Sequence, residues 1–281
     1  MSNFEKAANK WLEKHPYLNE VAALGMAIEN VLDGVDVIKT LPNNIDNAKE
    51  QYNNGVSLLL TDIEFNLSDT AGNILLKLAL LQDNNSLPED IKAESKKLSE
   101  ISVDDAKKLI TSVIKNDADT FQNIVEKSKI KEDLLLYFAW VSIRKALSGI
   151  KEPLDTWVND NPWQKGVCPV CAQDASNAFF KHTKRGRQRF LHCDHCGTEW
   201  VYKRMGCAYC DNIDQKKMSI KDSEDEPNMR IDLCHKCNTY LKTYIGEDKN
   251  SLGKEGWATI HLDILMKDSG FNLKGSLIKP E

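Results

Sequence analysis

All eight cysteines of this 281-residue chain lie between Cys168 and Cys237, and they fall as four Cys-x-x-Cys pairs. The pairs are Cys168/Cys171, Cys193/Cys196, Cys207/Cys210 and Cys234/Cys237, separated by 21, 10 and 23 residues. Two long gaps either side of a short one describe a duplicated unit of pair, loop and pair. A Cys-x-x-Cys turn sets two thiolates on one ion, and a second turn completes a four-sulfur tetrahedron. The spacing predicts one site on Cys168, Cys171, Cys193 and Cys196, and another on Cys207, Cys210, Cys234 and Cys237. An interleaved pairing of the four turns is the less simple alternative.

The residue after the second cysteine of such a turn often takes a left-handed conformation, which suits Gly, Asn or Asp. Gly197, Asp211 and Asn238 fit this rule and Ala172 does not. Disulfides would need an oxidising compartment that nothing in the sequence marks, and a thioredoxin-type redox motif needs one pair in a βαβ setting. His182, His192, His195 and His235 lie in or beside the region as alternative ligands, but eight cysteines already fill two shells. His195 and His235, inside the turns, are expected as outward-facing rings. Four sulfurs suit zinc and iron alike, so the cofactors expected are two mononuclear metal ions, zinc or iron. A closed shell leaves no position for water or substrate, which argues against metal hydrolysis. No catalytic residue is expected, and the protein is read as not an enzyme.

Residues 1–150 hold no cysteine and read as an all-α helical domain. Ala106, Leu109, Ile110, Val113 and Ile114 recur at helical spacing behind a Ser102/Asp105 cap signal. Leu134, Leu135, Phe138, Ala139 and Ile143 form a second stripe. Further helices are expected over 21–32, 56–65 and 73–81, separated by breakers at 42–44 and 83–86. Residues 151–167, rich in Pro, Asn, Asp and Gly, read as a linker. Hairpins are expected between the cysteine pairs, with a basic tip at 184–187 and an acidic tip at 222–226. The first metal module then spans 168–200 and the second 201–242. A loop and helix at 243–281 pack on the modules, with Trp257, Ile260, Ile264 and Leu265 on one side. The fold class is α+β in two domains: a helical bundle, then tandem rubredoxin-like or zinc-ribbon modules closed by a C-terminal helix.

The formal charge of −5 becomes −9 once two divalent ions sit on eight thiolates, a poor field for nucleic acid. The N-terminus shows no secretory pattern, and the longest apolar run, Leu134 to Ile143, is too short to span a bilayer. A cytoplasmic location is expected, where thiolates stay reduced. The sequence is compatible with a homodimer.

Trp163-Gln-Lys-Gly-Val-Cys-Pro-Val-Cys171, Leu191-His-Cys-Asp-His-Cys-Gly-Thr-Glu-Trp200, Cys207-Ala-Tyr-Cys210 and Cys234-His-Lys-Cys-Asn-Thr-Tyr-Leu-Lys242 together resemble the formate dehydrogenase accessory protein family, FdhE. Residues 258–266 and Gly270-Phe271 look like its C-terminal helix. The family usually has glycine where Ala172 stands, and often where Asn238 stands. The resemblance implies a cytoplasmic factor that binds the catalytic subunit of a respiratory, molybdenum- or tungsten-dependent formate dehydrogenase. It would act before twin-arginine export and support maturation, with the eight cysteines as metal ligands. Gly197, Thr198, Glu199 and Trp200 would be a family-specific surface or packing element. Two other readings stand beside it: a rubredoxin-like iron protein acting on or protecting the dehydrogenase, and a zinc-ribbon nucleic-acid-binding protein.

Overall fold

A computed structural model describes residues 3–184, 186–222, 226–248 and 252–278. Parts of both expected hairpin tips and of the loop expected after residue 243 lie outside the described residues. Ten α-helices form among those described: α1 (Asn3–Leu12), α2 (Asn19–Val31), α3 (Lys49–Asn53), α4 (Leu67–Lys77), α5 (Glu89–Lys97), α6 (Val103–Lys115), α7 (Ala118–Ser128), α8 (Glu132–Leu147), α9 (Lys151–Asp160) and α10 (Ile260–Met266). None is long and apolar enough to cross a membrane.

The chain divides into two compact units, one of residues 1–47 with 62–152 and one of 48–61 with 153–281. In the first unit α4, α6 and α8 pack on one another. The periodic residues Ala106, Leu109, Ile110 and Val113 of α6 are buried, as are Leu135, Phe138, Ala139 and Ile143 of α8. The Ser102 side chain accepts the Asp105 amide at 3.1 Å, satisfying one of the donors that a helix start leaves open.

The second unit holds one six-stranded sheet in the order β3-β2-β1-β6-β5-β4. The strands are β1 (Asn177–Thr183), β2 (Gly186–His192), β3 (Glu199–Tyr202), β4 (Met218–Asp222), β5 (Met229–Cys234) and β6 (Thr239–Tyr244). Each pair of Cys-x-x-Cys turns comes with an antiparallel three-strand meander, and the two meanders fuse where β1 pairs in parallel with β6, Asn177 facing Lys242. Every residue of β6 is buried, as a central strand flanked on both sides requires.

Three sequence expectations are revised. Residues 56–65 do not form an α-helix. Only Leu58–Leu60 makes a 3-10 turn, because the Leu58 and Leu59 amides bond the carbonyls of Pro169 and Val170, both at 2.9 Å. That segment belongs to the second unit, so the expected 1–150 domain lends it away. The expected linker opens with helix α9; Pro153 is tolerated in its first turn, where amides have no intrahelical partner. The phase of α10 also differs. Ile264 and Leu265 are exposed, whereas Leu262, Asp263 and Met266 are buried. The Asp263 carboxylate turns inward to Lys242 (2.6 Å) and Tyr240 (2.9 Å), and this rotates Leu262 and Met266 onto Phe179, Phe190, Met229 and Ile231 of the sheet.

Candidate metal centres

The four Cys-x-x-Cys turns share one backbone shape. The residue after each second cysteine is left-handed, with φ of 65° at Ala172, 78° at Gly197, 57° at Asp211 and 52° at Asn238. Ala172 therefore adopts the turn despite its side chain. Three of the turns close with bonds from the first cysteine amide to the residue five places on: Cys168 to Gln173 (2.7 Å), Cys193 to Thr198 (3.1 Å) and Cys207 to Asn212 (2.9 Å).

These turns gather the eight sulfurs into the two sequential groups, and not into interleaved ones. Within each group all four Sγ atoms lie within 4.8 Å of one another. In the first, Cys168 meets Cys196 and Cys171 meets Cys193, both at 3.5 Å. In the second, Cys207 meets Cys237 and Cys210 meets Cys234, both at 3.7 Å. A tetrahedron with metal–sulfur bonds near 2.3 Å has edges of about 3.8 Å, whereas a disulfide brings sulfurs to about 2.05 Å. The donor set thus fits a tetrahedral ion, and all eight cysteines are free thiols.

Second interactions repeat in register between the modules. The amides of Val170 and Tyr209, two residues after the first cysteine of their turns, point at Cys168 Sγ (3.4 Å) and Cys207 Sγ (3.3 Å). The hydroxyls of Thr198 and Thr239, two residues after the last cysteine, lie 3.1 Å from Cys196 Sγ and 2.9 Å from Cys237 Sγ. Donors aimed at sulfur stabilise the thiolate form. Burial works the other way: it pushes the Cys171 and Cys193 thiols well above their usual value and Cys207 up to about 12. Four ionised sulfurs in such a place need a cation among them.

The two centres differ in access. All four cysteines of the first are buried, whereas Cys210 and Cys237 of the second are half-exposed. The first is also braced by the 48–61 segment, since the Ser57 hydroxyl donates to the Cys168 carbonyl at 2.8 Å. The Tyr209 hydroxyl, from within the third turn, donates to the Ala175 carbonyl at 2.9 Å, so the third turn is tied to the chain leaving the first.

Among the described residues, no histidine joins either sulfur group. His235 is exposed and bonded to Ser219 Oγ at 2.8 Å, but His195 is buried, contrary to the outward ring expected. His192, Asp194 and Glu255 bring a third set of ligand-type atoms within 4.8 Å of one another. They sit in a charge network with Glu199, which accepts from Lys181 at 2.5 Å and from Lys254 at 2.7 Å. Burial raises the Glu199 pKa, but Lys254, His192 and Lys181 together outweigh it and hold this carboxyl far below the usual range. Spacing rules draw attention to cysteines, so this network is not visible in the sequence; only the position of Glu199 in the Gly-Thr-Glu-Trp run marks it.

Residues 167–204, which contain the whole first sulfur group, match the family model described as FdhE, central domain. A protein FdhE homolog of Aquifex aeolicus is 30% identical over 146 residues, half of each chain. One from Proteus mirabilis is 26% identical over 203 residues, 70% of this chain and 62% of that one. The aligned stretch therefore spans about half the length of the curated relatives. The crystal structure of the FdhE protein from Pseudomonas aeruginosa superposes with a TM-score of 0.68 over 98% of this chain and 94% of that one, at 19% identity, a likeness of fold. The chain is thus similar to FdhE proteins over the first sulfur group and its surroundings, and it shares the fold of one of them.

Proposed function

We propose that the protein is an accessory factor for a formate dehydrogenase, binding its catalytic subunit before export and supporting maturation. Each four-cysteine group holds one mononuclear zinc or iron ion, with Cys168, Cys171, Cys193 and Cys196 on the first and Cys207, Cys210, Cys234 and Cys237 on the second. The observation that carries this reading is the pair of closed four-sulfur shells, which leave no position for a substrate and so suit a structural role. When bound, the ion neutralises the thiolates and supplies folding energy to two small meanders, on the order of 10 kcal/mol each for zinc. The rest is done by the chain: the turns orient the sulfurs, Thr198 and Thr239 hold them, and β1 paired with β6 makes both modules one platform.

A second reading, rubredoxin-like iron chemistry, is favoured by the amide and hydroxyl donors repeated at Cys168, Cys207, Cys196 and Cys237, since such bonds set the potential of an iron–sulfur centre. One experiment addresses both. The tagged chain is purified anaerobically from cells grown on formate, and its metal content, visible spectrum and co-purifying proteins are recorded. Two ions per chain together with a formate dehydrogenase catalytic subunit support the accessory role. A colourless zinc protein removes the redox reading, and repeated absence of the dehydrogenase subunit removes the accessory one.

A further inference from the structure

The sheet has two faces with different fates. Helix α10 and the tail residues Phe271 and Leu273 close the one that carries Phe179, Phe190 and Ile231. The other carries a groove of about 630 Å3 bounded by β2, β4, β5 and the loop at 204–206. Four arginines line it against one carboxylate, Asp232, in a chain whose formal charge is −5. Asp232 is already committed: it pairs with Arg230 at 2.9 Å, and accepts from the Thr243 hydroxyl at 2.8 Å and from buried Arg189 at 3.4 Å. Arg187 and Arg230 both lie over the Phe180 ring, at 5.0 and 5.5 Å. Arg187 donates one bond, to the Ile245 carbonyl at 2.7 Å, and is otherwise exposed. Arg204 is exposed and has no partner among the described residues. Apolar side chains fill the gaps between these charges, and Met205 and Ile220 are 57% and 54% exposed at the rim.

The groove runs beside a free sheet edge. At the opposite edge, β3 is covered by α9: Asn159 accepts the Val201 amide at 3.1 Å and Asp155 the Glu199 amide at 3.4 Å. No described strand pairs with the outer side of β4. The His235 amide bonds the Lys217 carbonyl at 2.9 Å, which fixes the ladder. By antiparallel alternation Ser219 and Lys221 bond toward β5, while the backbone N–H and C=O of Ile220 point outward. Unpaired edges are what extended segments add to, and arginine forks are what carboxylates dock on.

We propose that this groove is the docking site of the protein partner, which enters as an extended acidic segment along the edge of β4 with carboxylates on Arg187, Arg204 and Arg230. This rests on the accessory-factor reading above. Alternating acidic and apolar side chains match the alternation of guanidinium and apolar surface. Nucleic acid does not fit, because the arginines are confined to one groove beside a strand edge and form no extended basic track for a phosphate backbone. A basic segment is repelled.

The test uses the full-length, metal-loaded chain and a fluorescein-labelled peptide of alternating glutamate and valine, read by anisotropy. Binding is expected to weaken as salt rises. Arg204→Glu should weaken it at least about tenfold, equivalent to about 1.4 kcal/mol, and Arg204→Lys less, since charge remains but the fork is lost. Ile220→Pro, which removes the outward N–H, should also weaken it, with circular dichroism and metal content showing that the fold is kept. Equal binding of a lysine–valine peptide, unchanged affinity in Arg204→Glu, or binding of inorganic pyrophosphate by calorimetry with no binding of the glutamate peptide overturns the proposal, the last in favour of a small phosphate ligand. Capture of the dehydrogenase subunit separates the two readings. Equal capture by wild type and Arg204→Glu refutes the groove and spares the accessory role; capture by neither, with the peptide still bound, refutes the accessory role.

Discussion

Replacing Asp263 by asparagine is the sharpest test of how α10 is fastened to the sheet. Asp263 Oδ2 lies 2.6 Å from Lys242 Nζ, and the two side chains are 0% and 1% exposed. Burial pushes the Asp263 carboxyl above its usual value although Lys242 and Tyr240 pull it down, so the pair is held against a desolvation cost. Asp263→Asn keeps the shape but leaves the Lys242 ammonium buried without a counter-charge, which costs about 3–5 kcal/mol. The sheet unit has roughly 140 residues, and an unfolding entropy near 2.1 cal/mol/K per residue converts that loss into a fall in Tm of about 10–17 °C. Thermal and urea unfolding of metal-loaded protein, at fixed excess metal, measure it. The paired replacement Lys242→Met with Asp263→Leu should recover most of the loss, because an apolar pair of similar size carries no desolvation cost. An Asp263→Asn penalty below about 1 kcal/mol, or a double variant no better than the single one, refutes the reasoning.

Ala172→Gly should stabilise the chain by about 0.5–1 kcal/mol, since relief of a left-handed side chain exceeds the entropy glycine adds to the unfolded state; a loss in urea unfolding contradicts this. Chelator challenge should release metal in two phases, the half-exposed second centre first, with the fast phase missing in Cys210→Ser and the slow one in Cys193→Ser; a single phase, or the reverse assignment, counts against it. The Glu199 pKa is depressed in the folded chain, so its contribution is fully present above the usual glutamate value of 4.5 and is lost as pH falls below it. The stability gap between wild type and Glu199→Gln should therefore hold from pH 7 to 5 and shrink in more acid solution, and a gap that widens there is the wrong sign.

The cysteine spacing carried both four-sulfur groups and three of the four turn conformations into view, because a Cys-x-x-Cys turn is local chemistry. Helical periodicity did the same for α6 and α8. What stayed hidden was non-local. The parallel pairing of β1 with β6 joins strands some sixty residues apart and leaves no local pattern. The 56–65 segment is apolar enough to read as a helix, yet its amides are taken by the first turn of the metal module. In α10, Ile264 and Leu265 suggested the buried side, but one ion pair with Lys242 sets the rotation instead. The arginine groove was masked in the same way, since Arg187, Arg204 and Arg230 come from three separate segments.

X-ray absorption at the metal edge of the anaerobically purified chain tests the central claim most directly. Two ions per chain, each with four sulfur neighbours near 2.3 Å and no nitrogen or oxygen in the first shell, is the predicted result. Mixed nitrogen or oxygen coordination, or a purified chain that holds no ion and instead shows sulfur–sulfur bonds, contradicts it.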